Sequence, residues 1–196
     1  MRIIAGKYKG HKINSKIPTG IRPTQDAIRE TIFNILNNYT DFNNLVVADV
    51  CAGAGMLGLE AISRGADFVY FVDKNRKSLE YINNSLKLLN IPIENYQIKN
   101  IDALQFLNHI DYNNKNSDNP IFIDLLFLDP PYNTNIVNNV LNMINETNIM
   151  SENGIIIAET SINFLPIINK QVLEIITERQ FGSTKIFFLE KNNTLK

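Results

Sequence analysis

Cysteine and long apolar runs are scarce in this sequence. Its 196 residues include a single cysteine, Cys51, so no disulfide can form within the chain. No apolar run approaches the length of about 18 residues that a membrane-spanning helix needs, and the first residues lack a signal-peptide pattern. These absences favour the cytoplasm and argue against a membrane function. With 44% hydrophobic and 20% charged residues, the chain fits one sizeable globular domain.

Acidic residues are missing from the start of the chain. The first 22 residues hold six of the 19 basic residues and none of the 20 acidic ones, so the remainder carries a net charge of −7. We therefore divide the chain into a basic N-terminal arm, residues 1–22, and a domain formed by residues 23–196. The arm contains three glycines and one proline up to residue 20, which predicts loops or a short hairpin. Such an arm suits contact with phosphates, and the alternative is a solvated tail.

Strands and helices alternate along the rest of the chain. Hydrophobic patterns predict strands at 45–50, 67–73, 96–100, 125–128 and 154–159, and a terminal hairpin formed by 171–180 and 184–190. One predicted helix begins at Pro23 or Thr24, and a second follows the first strand and ends near Arg64. Further helices are predicted at 75–90, 103–109 and 134–147, with a loose surface loop at 111–120. This alternation predicts an α/β fold: a sheet of about seven strands, five or six parallel and one reversed, with helices on both faces.

The helix that follows the arm is amphipathic. Ile28, Ile32 and Leu36 fall on one face, which should pack on the domain. The same helical geometry leaves Arg29 on or near the exposed side, beside the basic arm.

A glycine-rich turn joins the first strand to its helix. Gly53, Gly55 and Gly58 match a dinucleotide-binding pattern. Asp73, twenty positions after Gly53, is placed to bind a ribose. This spacing fits both NAD and S-adenosylmethionine. Asp49, at the end of the strand, favours the second cofactor, because its carboxylate would repel a pyrophosphate and attract the sulfonium and ammonium groups of S-adenosylmethionine.

Asp102 completes the predicted cofactor site. It follows the third strand and precedes the small Ala103, where it can accept a hydrogen bond from an adenine amino group. The alternative for both Asp73 and Asp102 is the cap of a helix N-terminus, a common position for aspartate. The predicted cofactor-binding residues are Asp49, Ala52, Gly53, Gly55, Asp73, Asp102 and Ala103.

The segment Asp129-Pro130-Pro131-Tyr132 ends the apolar fourth strand. Open α/β sheets bind ligands at the carboxyl ends of their strands. Two prolines stiffen the backbone and remove two N–H donors, so the segment offers acceptors beside an aromatic ring. This surface suits a planar group with an exocyclic amine, whose hydrogens Asp129 and the Pro130 carbonyl would accept while Tyr132 stacks on the ring. These four residues are the predicted catalytic residues, and the alternative is a proline-rich turn.

Cys51 lies at the mouth of the glycine turn, where a helix N-terminus could favour a thiolate. A nucleophilic cysteine needs a base, and neither His11 nor His109 has a sequence context that places it nearby. We interpret Cys51 as a small packing residue.

Five segments together resemble a known family. The sequences at 49–55 and 129–132 resemble class I methyltransferases that modify exocyclic amines of nucleobases. Residues 1–10, 22–33 and 182–185 are similar to the bacterial 16S ribosomal RNA guanine-N2 methyltransferases. The resemblance covers nearly the whole chain. The sequence departs from the family pattern at Val50-Cys51, Ala54 and Asp73, where the family tends to carry Leu-Phe, Ser and Glu, respectively.

The resemblance implies a Rossmann-like fold and methyl transfer from S-adenosylmethionine to a guanine N2 in ribosomal RNA, without a metal. It implies that the basic arm and the helix after it bind ribosomal RNA or the assembling small ribosomal subunit. We also expect a monomer. The implied RNA-binding residues are Arg2, Lys7, Lys9, Arg22, Thr24 and Arg29. Alternatives are a DNA amino-methyltransferase, a protein-glutamine methyltransferase, an NAD oxidoreductase, and an RNA-binding module with a degenerate fold.

Overall fold

The computed structural model describes residues 1–13, 26–132 and 134–192. Its helices are α1 (Asp26–Leu36), α2 (Met56–Arg64), α3 (Arg76–Leu88), α4 (Ala103–Lys115) and α5 (Ile136–Glu146), with a 3-10 turn at Ile93–Asn95. Its strands are β1 (Val46–Val50), β2 (Phe68–Val72), β3 (Tyr96–Lys99), β4 (Ile123–Leu128), β5 (Met150–Ser161), β6 (Leu173–Phe181) and β7 (Thr184–Lys191). The predicted alternation of strands and helices is confirmed.

The seven strands form one sheet in the order β3-β2-β1-β4-β5-β7-β6. Neighbouring strands from β3 to β5 are parallel, and β7 runs antiparallel to both β5 and β6. Six strands therefore share one direction and one is reversed, as predicted. The chain moves outward from β1 through β2 and β3, then returns to place β4 on the other side of β1. The carboxyl ends of β1 and β4 thus flank the topological switch point, where ligands bind in sheets of this kind.

Apolar side chains cover both faces of the sheet. Phe33 of α1, Phe71 and Phe127 belong to one buried cluster, and Phe106 of α4 and Leu126 belong to the other. Residues 127 and 126 of β4 point to opposite faces because side chains alternate along a strand. Burial on both faces explains why β4 reads as a continuous apolar run rather than an alternating pattern.

Helix α2 lies close to the sheet at Gly58. A Cβ atom at this position would come 2.4 Å from the Phe71 ring, so glycine is required for the close approach of α2 to β2. The helix ends at Gly65, whose φ of 116° reverses the chain. Gly58 therefore allows α2 to pack directly on β2.

Two predicted boundaries are wrong. Helix α4 continues to Lys115, so half of the predicted loop at 111–120 is helical. Ile110 is buried on α4 and Lys115 donates to Asp111 at 2.7 Å, which gives the last turns both a packing face and an i,i+4 ion pair. Strand β5 begins at Met150 rather than at residue 154. The predicted start of the first helix at Pro23 or Thr24 lies outside the described residues.

Within the three described ranges, no helix is long and apolar enough to cross a bilayer.

Candidate active site

A cavity of about 590 Å³ opens at the carboxyl ends of β1 and β4. It collects residues from separate parts of the chain. The predicted residues that line it are Asp49, Ala52, Gly53, Asp73, Asp102, Ala103, Asp129, Pro130, Pro131 and Tyr132. Gly55 is not among the lining residues. The tertiary structure thus brings both predicted sites, for cofactor and for catalysis, to one cavity.

Asp49 is the most deeply buried acid of this cavity, with 2% of its surface exposed. Its Oδ2 accepts a hydrogen bond from the Gly58 N–H at 2.9 Å. Burial raises the pKa of Asp49 to about 8, the nearby Asp73 adds to the rise, and the Gly58 hydrogen bond opposes it. A buried carboxylate with a raised pKa is stabilised in its charged form by a cation. Asp49 therefore suits a positively charged ligand.

Asp73 holds the glycine turn in place. Its Oδ2 accepts from the Gly53 N–H at 2.9 Å, and its Oδ1 accepts from the Asn75 N–H at 2.7 Å. Asn75, not Asp73, caps α3 by accepting from Lys77. Since each carboxylate oxygen can accept more than one hydrogen bond, Asp73 can support the turn and bind a ribose together.

Gly55 serves packing and backbone conformation in this turn. Its φ of 68° is unfavourable for residues with a side chain, and a Cβ there would lie 2.7 Å from Ile82. Cofactor contact by Gly55 stays a prediction.

Asp102 is both a helix cap and a cavity residue. Its Oδ1 accepts from the Gln105 N–H at 2.9 Å at the start of α4, so the capping alternative for Asp102 is confirmed. The cap and the cavity are compatible because the same residue lines the cavity beside Ala103. The proposed bond to adenine stays a prediction.

Tyr132 is tied to two strands through its hydroxyl group. That hydroxyl donates to Glu159 Oε1 at 2.9 Å and also pairs with Thr184 Oγ1 at 2.5 Å. Thr184 is the first residue of β7, and Glu159 lies near the carboxyl end of β5. These bonds fix the position of the Tyr132 ring at the cavity wall.

The sequence reasoning missed Glu159 and Thr184 as parts of the site. Both positions lie in apolar strands, where hydrophobic periodicity identifies a strand but not a side chain that faces a ligand. The available signal was Glu159 directly after the apolar run 155–158, because a polar group in a buried strand requires a partner. The cavity also contains apolar walls that the motifs did not indicate, including Ile101, Leu104 and Ile136.

The ionisable side chains of the cavity are mostly acidic. Its described lining includes five acids and, as its only basic side chain, Lys74. The five acids are Asp49, Asp73, Asp102, Asp129 and Glu159. In the part of the chain that the structure describes, no group of three or more His, Cys, Asp or Glu side chains is arranged to hold a metal ion. The acidic lining therefore fits a cationic ligand.

Cys51 lines the cavity but has the character of a neutral thiol. Burial, followed by the charges of Asp73, Asp129 and Asp49, raises the pKa of Cys51 to about 12. A thiol with this pKa carries almost no thiolate near neutral pH, which agrees with its interpretation as a packing residue. His11 lies outside the cavity lining, and its Nδ1 is 2.9 Å from the Tyr8 carbonyl oxygen.

The described part of the basic arm, residues 1–13, is here called the N-terminal segment. Arg2 and Lys12 form an isolated antiparallel bridge, an arrangement that agrees with the predicted loops or short hairpin. Glu60 of α2 accepts from the backbone N–H groups of Ile4 at 2.8 Å and Ala5 at 3.0 Å. The segment is thereby fixed to α2 through its backbone, and Ile3, Tyr8 and Ile13 are buried in the core.

Close packing reinforces this attachment. Lys7 donates its backbone N–H to the Ser63 carbonyl at 2.7 Å, and a Cβ at Gly6 would overlap that same carbonyl oxygen at 1.7 Å. Arg2, Lys7 and Lys9 are exposed. The predicted cations at these positions are therefore presented to solvent, whereas Arg22 and Thr24 lie outside the described residues. The division of the chain at residue 22 stays a prediction.

The exposure predicted for Arg29 is wrong. Its side chain is fully buried, and Nη2 donates to the Arg2 carbonyl at 2.6 Å and to Asp26 at 3.2 Å. Burial lowers the pKa of Arg29, while Asp26 and then Glu60 oppose that shift. The N-terminal segment covers the helix face that a helical projection assigns to solvent. Arg29 supports the segment from beneath and has no surface for direct contact with RNA.

Comparison with known proteins extends this geometry. A family model described as "Conserved hypothetical protein 95" matches residues 1–190. The chain is 31% identical over 182 residues to the Haemophilus influenzae protein named ribosomal RNA small subunit methyltransferase D, covering 93% of this chain and 89% of that protein.

Solved structures share the architecture. An Escherichia coli protein provisionally named a methyltransferase superposes with a TM-score of 0.79 at 24% identity, covering 98% of both chains. A second provisionally named methyltransferase, solved in complex with SAH, has a TM-score of 0.67 at 17% identity and covers 83% of this chain and 49% of that one. Both likenesses concern the fold.

Proposed function

We propose a function from the family: the chain belongs to the family described as conserved hypothetical protein 95 and is related to proteins named ribosomal RNA small subunit methyltransferase D. It would transfer a methyl group from S-adenosylmethionine to the N2 amine of a guanine in small-subunit, 16S ribosomal RNA. Membership of the family predicted from the motifs is confirmed. The cavity at the switch point, with Asp129 and Pro130 in its wall, is the observation that carries the chemistry.

The residues of the cavity fit S-adenosylmethionine. Asp49 provides a buried carboxylate for a cation, Asp73 a carboxylate for the ribose, and Asp102 an acceptor for the adenine amino group. When bound, S-adenosylmethionine supplies an activated methyl group on a sulfonium. The acidic lining also disfavours NAD, whose pyrophosphate would meet Asp49 and Asp73.

Asp129 and the Pro130 carbonyl would act on the target amine. The guanine N2 lone pair is delocalised into the ring, so the amine is a poor nucleophile. Acceptors that hold its two hydrogens favour pyramidalisation as the N–C bond forms and the S–C bond breaks. The methylated nitrogen would then pass one proton to the Asp129 carboxylate and from there to water, while the cofactor would leave as the neutral thioether S-adenosylhomocysteine. Tyr132 would stack on the target base after it leaves its own stack.

The N-terminal segment would hold the RNA. Arg2, Lys7 and Lys9 project from a fixed backbone and would contact phosphates, and Arg22 and Thr24 of the basic arm would extend that contact. We propose that the partner is ribosomal RNA or the assembling small subunit. The protein would act in the cytoplasm as a monomer.

The decisive experiment is transfer of labelled methyl groups to ribosomal RNA from cells that lack this enzyme, followed by nucleoside analysis. We expect label in N2-methylguanosine of the small-subunit RNA. Label in another nucleoside, or only in DNA or protein, would contradict the proposed target. No transfer to any acceptor, by a folded protein that binds S-adenosylmethionine, would favour a non-catalytic RNA-binding module.

A further inference from the structure

Two carboxylates stand side by side at the carboxyl edge of the sheet. The parallel register pairs Leu128, the last residue of β4, with Ala158 of β5, and the next residues along the two chain segments are Asp129 and Glu159. Neighbouring strands are about 4.8 Å apart, and paired positions in a parallel ladder face the same side. Both residues line the cavity. The two carboxylates can therefore accept hydrogen bonds from neighbouring donors along one edge of a ligand.

The carboxyl group of Glu159 has a fixed orientation. Only 9% of Glu159 is exposed, and its Oε1 accepts from the Tyr132 hydroxyl at 2.9 Å. The same hydroxyl is paired with Thr184, which is 1% exposed. A carboxylate has about four lone-pair sites, so binding of Tyr132 is compatible with acceptance of a further hydrogen from a base stacked on that ring.

Guanine offers a matching row of donors. Its N1–H lies next to the two hydrogens of N2, whereas the amines of adenine and cytosine lie next to a ring nitrogen that accepts hydrogen bonds. We propose that Glu159 selects guanine by accepting its N1–H, while Asp129 and Pro130 accept the hydrogens of the amine. This assignment rests on the proposed function and deepens it, because it names the residue that reads the base.

The same contact rejects the other amino bases. A ring nitrogen facing Glu159 would place two acceptors together in a buried site, with no hydrogen between them. Sites built to hydrogen-bond a substrate group discriminate strongly against analogues that lack it, because buried polar groups are then unpaired. Tyr132 and Thr184 act in this scheme as positioning residues for Glu159.

The test replaces the charged acceptor while keeping its size. Ribosomal RNA is ligated from synthetic fragments so that the mapped target nucleotide is either guanosine or 2,6-diaminopurine riboside, which keeps the N2 amine but has an acceptor at N1. The parent enzyme is expected to prefer guanosine in kcat/KM. Glu159→Gln should lower kcat/KM for guanosine by roughly 10- to 100-fold and lower it much less for diaminopurine, since the glutamine amide can donate to N1.

A control and a second variant keep the test falsifiable. Glu174→Gln, at an exposed position of β6, should leave the preference unchanged. Thr184→Val keeps the shape of the side chain and removes its hydroxyl, so it should reduce the guanosine preference several-fold without changing S-adenosylmethionine affinity. An unchanged preference in both Glu159→Gln and Thr184→Val, or an equal loss for both nucleotides, would overturn the proposal. Methylation of a different base by the parent enzyme would instead refute the proposed function itself.

Discussion

Asp49 at the end of β1 and Glu60 in α2 are both buried acids, yet they do different things. Each accepts hydrogen bonds from backbone N–H groups, Asp49 from Gly58 and Glu60 from Ile4 and Ala5. Glu60 also accepts from the Arg64 Nε at 2.9 Å, and Arg29 lies near enough to interact with it electrostatically. The charge that acts on Asp49 is that of another acid, Asp73.

This difference distinguishes a carboxylate with a structural role from one that we expect to bind a ligand. Glu60 is compensated within the protein, so its charge stabilises the attachment of the N-terminal segment. Asp49 faces a cavity rich in acids, and its pKa of about 8 reflects its burial there beside a like charge. Helix α2 contributes to the acidic cavity and also holds the N-terminal segment. We propose that the cavity binds a cationic cofactor and that the segment binds the phosphates of the substrate.

Removal of Glu60 should have the largest effect on stability. Glu60→Ala leaves Arg64 and the N–H groups of Ile4 and Ala5 without their acceptor in a buried site, which should cost about 3–5 kcal/mol. Denaturant unfolding measures this loss. Glu80→Ala, in an exposed ion pair with Arg76, is the matched control and should change stability by less than about 0.5 kcal/mol. Equal losses in the two variants would remove the structural role of Glu60.

Asp129→Ala should damage turnover rather than binding. Loss of a preorganised electrostatic group typically lowers kcat by about 10²–10³, so this variant should still bind S-adenosylmethionine and RNA. Tyr132→Ala should weaken RNA binding as well, by roughly 1–3 kcal/mol for one stacked base. Single-turnover methylation and RNA titrations separate the two effects, with far-ultraviolet dichroism to verify folding. If Asp129→Ala methylates RNA at the parental rate, the segment 129–132 is a proline-rich turn without a catalytic role.

Asp49 should make both stability and cofactor binding depend on pH. Its pKa is about 8 in the folded protein against an ordinary value of 3.8, so the folded state binds this proton more tightly than the unfolded state. The cofactor-free protein should therefore lose stability as pH rises from about 4 to 8, and Asp49→Asn should remove that part of the loss. Thermal unfolding across this range measures both proteins.

Cofactor binding gives a second measurement on the same residue. A cation stabilises the charged form of Asp49, so binding of S-adenosylmethionine near pH 7 should release a proton in the parent and not in Asp49→Asn. Calorimetry in buffers with different ionisation enthalpies detects this release. Equal proton release by both proteins would show that Asp49 is not the group that responds to the cofactor.

Substitution of lysines in the N-terminal segment should have the smallest effect of the changes considered. Lys7→Ala with Lys9→Ala should weaken RNA binding and reduce the slope of log K against log salt by about 0.7–0.9 for each phosphate that is no longer neutralised. S-adenosylmethionine affinity should not change. Lys87→Ala with Lys170→Ala removes two exposed charges elsewhere and is the control. An unchanged slope in the Lys7 and Lys9 variant would identify the segment as a structural base rather than a phosphate site.

Local patterns predicted the elements well because their causes are local. Hydrophobic patterns within each segment predicted the strands and helices. Gly55 and Gly58 reflect close approach of the backbone to packed side chains. Helix α4 was predicted too short because its asparagine-rich end resembles a loop in composition. Its packing through Ile110 and its ion pair at Lys115 depend on neighbours that composition does not reveal.

By itself, the sequence determined the α/β alternation, the acids at or after the ends of β1, β2, β3 and β4, and the basic character of the first residues. Each of these depends on residue order and on rules that act within one element. Only the tertiary structure decided that Arg29 is buried, since the N-terminal segment covers a face of α1 that a single helix would expose. It also decided that Glu159 and Thr184 meet Tyr132. Those contacts join the end of β4 to β5 and β7 across the sheet, and strand order and register, which no local pattern contains, bring them together.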